Sequence, residues 1–298
     1  MKLLCIGKSG QIARALAERS AARGIACVCL GRPMVDLEQP ETLVAAIDQT
    51  KPTLVVNAAA YTNVDGAETD TDTAIALNAI APGLLAKACQ TAGIPLVHIS
   101  TDYVFSDQGE RPLLEEDPVR GVNAYGRSKA AGEAAVRDGT NAHIILRTSW
   151  VYSPFGRNFV KTMLRVAEQD GEARVVDDQI GSPTSALDIA EAILDLAPHL
   201  FKTNASERFG TYHYAASGYA SWADLAALIF QLYEAKTSCK IGLKRIPSSD
   251  YATPAARPHN SRLDTRKIAE TFGVFPRDWK AGVIETVDRL LAEKGTGS

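Results

Sequence analysis

Lys2-Leu3-Leu4-Cys5-Ile6-Gly7-Lys8-Ser9-Gly10-Gln11-Ile12-Ala13 carries the reading that decides the fold. An apolar run of strand type enters a glycine loop, and a helical pattern from about Gln11 to Arg23 leaves it. Gly7 permits a tight turn, Gly10 a close backbone approach, and Ala13 close packing of helix on strand. The helix start then offers free N–H groups to a pyrophosphate. Gly-x-x-Gly-x-x-Ala also marks plain strand–helix turns, so its weight comes from standing directly after the first strand. On this reading Gly7, Gly10, Gln11 and Ile12 touch a dinucleotide cofactor.

Outward from that loop, apolar strand runs at 26–30, 53–57, 96–100 and 143–147 alternate with helical stretches near 40–49, 73–92 and 124–136. Strands that are apolar throughout are covered on both faces, as crossover helices cover them. The expectation is an α/β protein with a doubly wound parallel (Rossmann) sheet. After Trp150 the rhythm breaks into short segments, turns and scattered helices, and Gly181-Ser182-Pro183-Thr184 reads as a loop before a helix over about 186–197. The expected organisation is a dinucleotide-binding domain over 1–150 that also recovers part of 186–210. A smaller, discontinuous α/β substrate lobe takes most of 151–298, and the tail 294–298 reads as frayed.

Composition removes several function classes. The 298 residues carry a net charge of −3, which gives no electrostatic reason for nucleic-acid binding. The longest apolar stretches, 54–60 and 94–99, are too short to cross a bilayer. The start has no signal-peptide anatomy, so the expected location is the cytoplasm, in soluble form. Cys27-Val28-Cys29 sits in a strand pattern without a second cysteine pair or histidine cluster, and reads as buried free thiols rather than metal ligands.

At the end of the second strand the chain reads Leu30-Gly31-Arg32, where an NAD-specific fold would place an acidic residue for the ribose 2′-OH. An arginine there suits a 2′-phosphate, so the reading favours NADPH, with NADH as the alternative. Asp36 and Leu37 are placed beside the adenine. Asn57-Ala58-Ala59-Ala60-Tyr61, followed by Thr62, ends the third strand with small side chains that let a cofactor lie against the backbone at Ala59–Thr62.

Tyr125-Gly126-Arg127-Ser128-Lys129 opens a predicted helix, and residues four apart share a helix face. A free tyrosine, with a pKa of about 10, is a weak acid at neutral pH. The Lys129 cation is expected to push that value down, so that Tyr125 donates a proton as hydride arrives from a nicotinamide. Ser100-Thr101-Asp102-Tyr103-Val104-Phe105 follows the fourth strand; Thr101 is placed to polarise a substrate carbonyl and Asp102 to orient a sugar hydroxyl.

This ordered set resembles the extended short-chain dehydrogenase/reductases. The wording of Ser100–Phe105, of Asn123 through Glu133, and of Arg147-Thr148-Ser149-Trp150-Val151-Tyr152 is similar to the dTDP-4-dehydrorhamnose reductases. Gly181–Thr184 with Asp188, and Arg257-Pro258 through Asp264, extend the likeness over nearly the whole chain. The resemblance implies reduction of a 4-keto sugar nucleotide, dTDP-4-dehydro-L-rhamnose, with Tyr125 as proton donor and Lys129 on the nicotinamide ribose. It further implies that Thr101, Asp102 and Trp150 contact the sugar, that Asn78 lies on the cofactor side, and that Arg257 meets a diphosphate. Some members of that family hold magnesium through glutamates at a subunit contact, one of them on the first helix. Here that stretch reads Ala13-Arg14-Ala15, so the likeness does not extend to a magnesium-bridged dimer, although a homodimer stays open.

Three other readings share the fold. A dehydratase carries a glutamate just after the Thr-Asp pair, where Tyr103 stands here. An epimerase recycles a tightly held cofactor. A non-catalytic relative, such as the regulatory subunit of some methionine adenosyltransferases, would not need the intact Thr101, Tyr125 and Lys129.

Overall fold

A computed structural model describes residues 1–106, 109–169, 171–237 and 239–295. The first half runs β1 (Lys2–Ile6), α1 (Gln11–Ala22), β2 (Ala26–Leu30), α2 (Pro40–Thr50) and β3 (Leu54–Asn57), then α3 (Thr71–Ile75), α4 (Ala81–Ala92), β4 (Leu96–Thr101), α5 (Ala124–Gly139) and β5 (His143–Thr148). The second half runs β6 (Val151–Tyr152), α6 (Phe159–Gln169), β7 (Glu172–Val176), β8 (Ile180–Gly181), β9 (Thr184–Ser185), α7 (Ala186–Leu196) and β10 (Gly210–His213). It ends with β11 (Ala220–Ser221), α8 (Trp222–Thr237), β12 (Gly242–Ile246), β13 (Asn260–Ser261), α9 (Arg266–Phe272) and α10 (Trp279–Gly295).

Six parallel strands form the main sheet in the order β10-β5-β4-β3-β1-β2. Alternate residues of β1 serve opposite faces: Leu3 and Cys5 pack with Leu16 of α1 and Ile189 and Ile193 of α7, whereas Leu4 and Ile6 pack with Leu43 of α2 and Leu85 of α4. Both faces are thus dry, which is why the strands read as unbroken apolar runs. The strand order reverses between β1 and β3, and a doubly wound sheet leaves its ligand crevice at the carboxyl ends there.

The stretch 73–92, expected as one helix, is two, joined by a π-helical turn over Ala76–Ile80. Pro82 has no N–H to offer the Asn78 carbonyl four residues back, and its ring would collide with it in a regular helix. The Asn78 carbonyl instead faces α5, where any Cβ at Gly132 would overlap it.

The second half is more regular than its sequence suggests. α6, α8 and α10 enclose a separate core with Val175 of β7, built around Leu225, Ile229, Phe230, Val283 and Val287. α8 is apolar around much of its circumference, which blurs helical periodicity. α7, β10 and α9 return to the first sheet: β10 pairs with β5, and Ile268 and Phe272 join the core beside α7. α10 continues to Gly295, so of the tail expected to fray only 296–298 lie outside the described residues.

All five cysteines are free. Cys27 and Cys29 are half-buried rather than buried, with sulfurs 3.8 Å apart, because β2 is the edge strand and lacks a neighbour on one side. Among the described residues no helix is long and apolar enough to cross a membrane.

Candidate active site

The carboxyl ends of β1, β3 and β4 open into a cleft of about 900 Å³ that the second lobe closes through Trp150, Arg157 and Trp222. Gly7 forms its floor at φ 127°, a conformation that side-chain-bearing residues rarely adopt, and its N–H donates to Leu30 O at 2.7 Å. The N-cap of α1 is Gly10, which supplies no side-chain cap, and no acidic residue occupies the first turn. Its leading N–H groups are therefore aimed at the cleft without a competing anion, a donor set that fits a pyrophosphate.

Gly7, Gly10, Gln11, Ile12, Arg32, Asp36, Leu37, Ala59, Ala60 and Thr62 all line this cleft. Gln11 also has a second duty: its amide oxygen accepts from Ser153 Oγ at 2.8 Å and Asn158 Nδ2 at 3.0 Å, and its Nε2 donates to Val151 O at 3.3 Å. Arg32 stands at the rim, paired with Asp36 at 3.1 Å and Glu38 at 2.6 Å. Tyr61 and Asn78 are not part of the lining. The Asn78 carboxamide is buried and fully engaged, accepting from Tyr61 N at 2.9 Å and donating to Tyr61 O and Ser128 Oγ, each at 3.0 Å. It braces the segment around Tyr61 from behind.

Thr101, Asp102, Tyr125 and Lys129 meet deeper in the same cleft. Thr101 ends β4; its Oγ1 donates to Asp102 Oδ1 at 2.9 Å and accepts from Tyr103 N at 3.2 Å. Tyr125 is fixed by the start of α5, where Asn123 Oδ1 caps Gly126 N at 2.7 Å and Glu68 Oε1 accepts from Ala124 N at 2.7 Å. The edge of Tyr103 packs on its ring, with centroids 5.6 Å apart. One turn later Lys129 Nζ donates to Ile99 O at 2.7 Å.

The electrostatics correct one expectation. Lys129 does not lower the Tyr125 phenol in this arrangement: burial raises it, the Asp102 charge adds to the rise, and only the Thr101 hydroxyl pulls the other way. Lys129 is itself pushed down to about 8 by burial, against the opposing charge of Glu133. Burial likewise lifts the Asp102 carboxyl to about 6, with the Ser261 and Thr101 side chains pulling it back. Asp102 Oδ2 is buried and meets no donor in hydrogen-bond geometry among the described residues.

Trp150 reaches the cleft from a left-handed backbone, φ 48°, and stacks on Trp222. Trp222 escaped the sequence reading, as did Lys8, Ser9 and Arg157 in the lining. The local signal for Trp222 is Ser221-Trp222-Ala223-Asp224, a reciprocal capping box with both backbone-to-side-chain bonds at 3.0 Å. Arg257 lies outside the lining; its guanidinium is committed to Asp65 Oδ2 at 2.9 Å and Ala255 O at 2.8 Å.

The described glutamates of the α1–α7–α10 face are paired with arginines. Glu18 is paired with Arg289, Glu191 with Arg19 and Arg23, and Glu285 with Arg19 and Arg277. Among the described residues no three His, Cys, Asp or Glu side chains are grouped to hold a metal.

The chain matches the family described as RmlD substrate binding domain over residues 1–292. It is 42% identical over 293 residues to a dTDP-4-dehydrorhamnose reductase of Sinorhizobium fredii, covering 98% of this chain and 99% of that one. A crystal structure of a dTDP-4-dehydrorhamnose reductase from Clostridium acetobutylicum superposes with a TM-score of 0.90 at 33% identity, covering 98% of this chain and 100% of that one. One from Bacillus anthracis, in complex with NADP, gives a TM-score of 0.88 at 32% identity over the same shares.

Proposed function

The chain belongs to the dTDP-4-dehydrorhamnose reductase family, and from that premise we propose that it is an NADPH-dependent reductase of a nucleotide-linked 4-keto deoxysugar. In this reading the substrate is dTDP-4-dehydro-L-rhamnose and the product dTDP-L-rhamnose, made in the cytoplasm for deoxysugar and cell-surface polysaccharide synthesis. The observation that carries it is the convergence of Thr101, Tyr125 and Lys129 in one cleft with the Gly7–Gly10 loop.

Gly7, Gly10 and Ile12 would hold the pyrophosphate of NADPH, Arg32 its 2′-phosphate, and Ala59, Ala60 and Thr62 its flank; bound there, the cofactor would supply the hydride that the ketone carbon accepts. Thr101 donates to the ketone oxygen once its hydroxyl turns from Asp102, and Tyr125 Oη delivers the proton that completes the new hydroxyl. Burial keeps that phenol protonated at neutral pH, the state a donor needs. Lys129, one turn along α5 and anchored on Ile99 O, would hold the nicotinamide ribose. Asp102 Oδ2 accepts from a sugar hydroxyl, and the paired indoles of Trp150 and Trp222 flank the ring.

NADPH oxidation followed with and without the dTDP-linked 4-keto sugar tests this, with NMR of the product fixing the new stereocentre. Absence of sugar-dependent oxidation would overturn the reading.

A further inference from the structure

Tyr125, Lys129 and Glu133 follow one another at intervals of four along α5 and so share a face. The last of them has no part in the reaction above, yet it is 0% exposed. Its Oε1 accepts from Ser100 Oγ at 2.6 Å and Arg147 Nε at 2.8 Å; its Oε2 accepts from Arg147 Nη2 at 2.7 Å and Arg137 Nη1 at 3.5 Å. Arg147, 2% exposed, also donates to Glu115 O at 3.1 Å and lies over the Phe105 ring. A buried ion pair is weak as a source of stability, because desolvation consumes most of the Coulombic gain. Its use is better sought in what it positions.

That is a strand end. Lys129 grips the carbonyl of Ile99 and Glu133 grips the hydroxyl of Ser100, so two successive residues of β4 are stapled to α5 immediately before Thr101. We propose that Glu133 is a positioning residue for the reduction: it fixes the Ser100–Thr101 strand end against α5 and balances the Lys129 cation in the buried site. The proposal rests on the reading that Tyr125 and Lys129 carry the chemistry.

The surrounding charges agree with this role. Among the described residues, Glu133 is the carboxylate whose charge opposes the burial penalty at Lys129. Burial raises the Glu133 carboxyl, but Arg147, Ser100 and Arg137 outweigh that and hold it below its ordinary value. The other titratable neighbours are His98 on β4, His143 on β5 and His213 on β10, each pushed down by burial and so neutral near pH 7. Asp102, across the site, bears on Tyr125.

The test is an NMR titration of the full chain carrying 13Cε-labelled lysine, read beside the pH profile of kcat. In Glu133→Gln the Lys129 midpoint should fall by about one pH unit or more, with the alkaline limb of kcat moving alike. Glu133→Asp, which keeps the charge, should restore most of the midpoint. If Glu133→Gln fails to fold around an unpaired Arg147, Glu133→Gln/Arg147→Met removes both charges and should shift Lys129 in the same direction. An unmoved midpoint in a folded variant overturns the proposal, even if activity falls, since a purely structural residue would do that. Failure of the underlying reading shows separately, as near-normal turnover in Tyr125→Phe.

Discussion

Trp150 and Trp222 stack face to face, ring centroids 3.6 Å apart and planes 9° from parallel, across the seam between the main sheet and the second lobe. Phe159 tilts onto Trp222 at 4.8 Å, and Gln179 Oε1 accepts from its indole N–H at 3.2 Å. Trp222 is thus held, and Trp150 is its counterpart from the end of β5.

Trp150→Ala and Trp222→Ala should each weaken sugar-nucleotide binding far more than NADPH binding, by roughly fivefold or more for loss of an aromatic contact of about 1 kcal/mol beyond its area. Isothermal titration with each ligand measures this. Parallel indoles couple optically, so both variants should also lose a far-ultraviolet circular dichroism couplet. A variant that melts much earlier yet binds the sugar nucleotide normally would make the pair mere packing.

Tyr125→Phe should lower kcat on the order of a hundredfold or more, the scale of positioned acid catalysis, while the Kd for NADPH stays nearly constant. Lys129→Met should damage both. If Lys129→Met affected the rate alone, the assignment of Lys129 to the nicotinamide ribose would be wrong.

In the proposed reading cofactor choice turns on Arg32, whose guanidinium is shared between Asp36 and Glu38. These carboxylates compete with a 2′-phosphate, so Glu38→Gln should widen the preference for NADPH over NADH and Arg32→Ala should narrow it. Fluorescence titration with both cofactors gives the ratio. Equal affinity for the two in the unmodified protein would remove the argument.

Asp102 should be a stability liability retained for function. Its carboxyl is raised from 3.8 to about 6, so the contribution is fully present below pH of about 4 and lost as pH rises through about 6. The shift corresponds to roughly 3 kcal/mol at neutral pH as an order of magnitude. Asp102→Asn should therefore raise Tm by a few degrees at pH 7.5, the gain shrinking toward zero near pH 4, while turnover falls. A Tm difference that does not vary with pH would refute this account.

How much of this was legible in one dimension depended on range. The Gly7 loop, the alternation of strands and helices, and the Tyr125–Lys129 spacing are local patterns, and they sufficed for the sheet and most of the cleft. β10 was hidden because Gly-Thr-Tyr-His is short and half polar; only its register beside β5 makes it a strand. Glu133 and Arg147 look like solvated charges until α5 and β5 bring them together. The direction of the Tyr125 shift needed the knowledge that Lys129 bonds to Ile99 O and that Asp102 lies close to the phenol.

The return of α7, β10 and α9 to the first sheet has a practical corollary. Chain joins the second lobe in three separate excursions, through Val151–Ser185, through 215–263 and through α10, so no single cut releases it. Grafting the second lobe of one family member onto another would mean transplanting all three stretches together, with the Gln11 tether to Ser153 and Asn158 rebuilt at the junction. A two-piece chimera joined at Trp150 would instead inherit α7 and β10 from the wrong parent and mismatch the core of its own sheet.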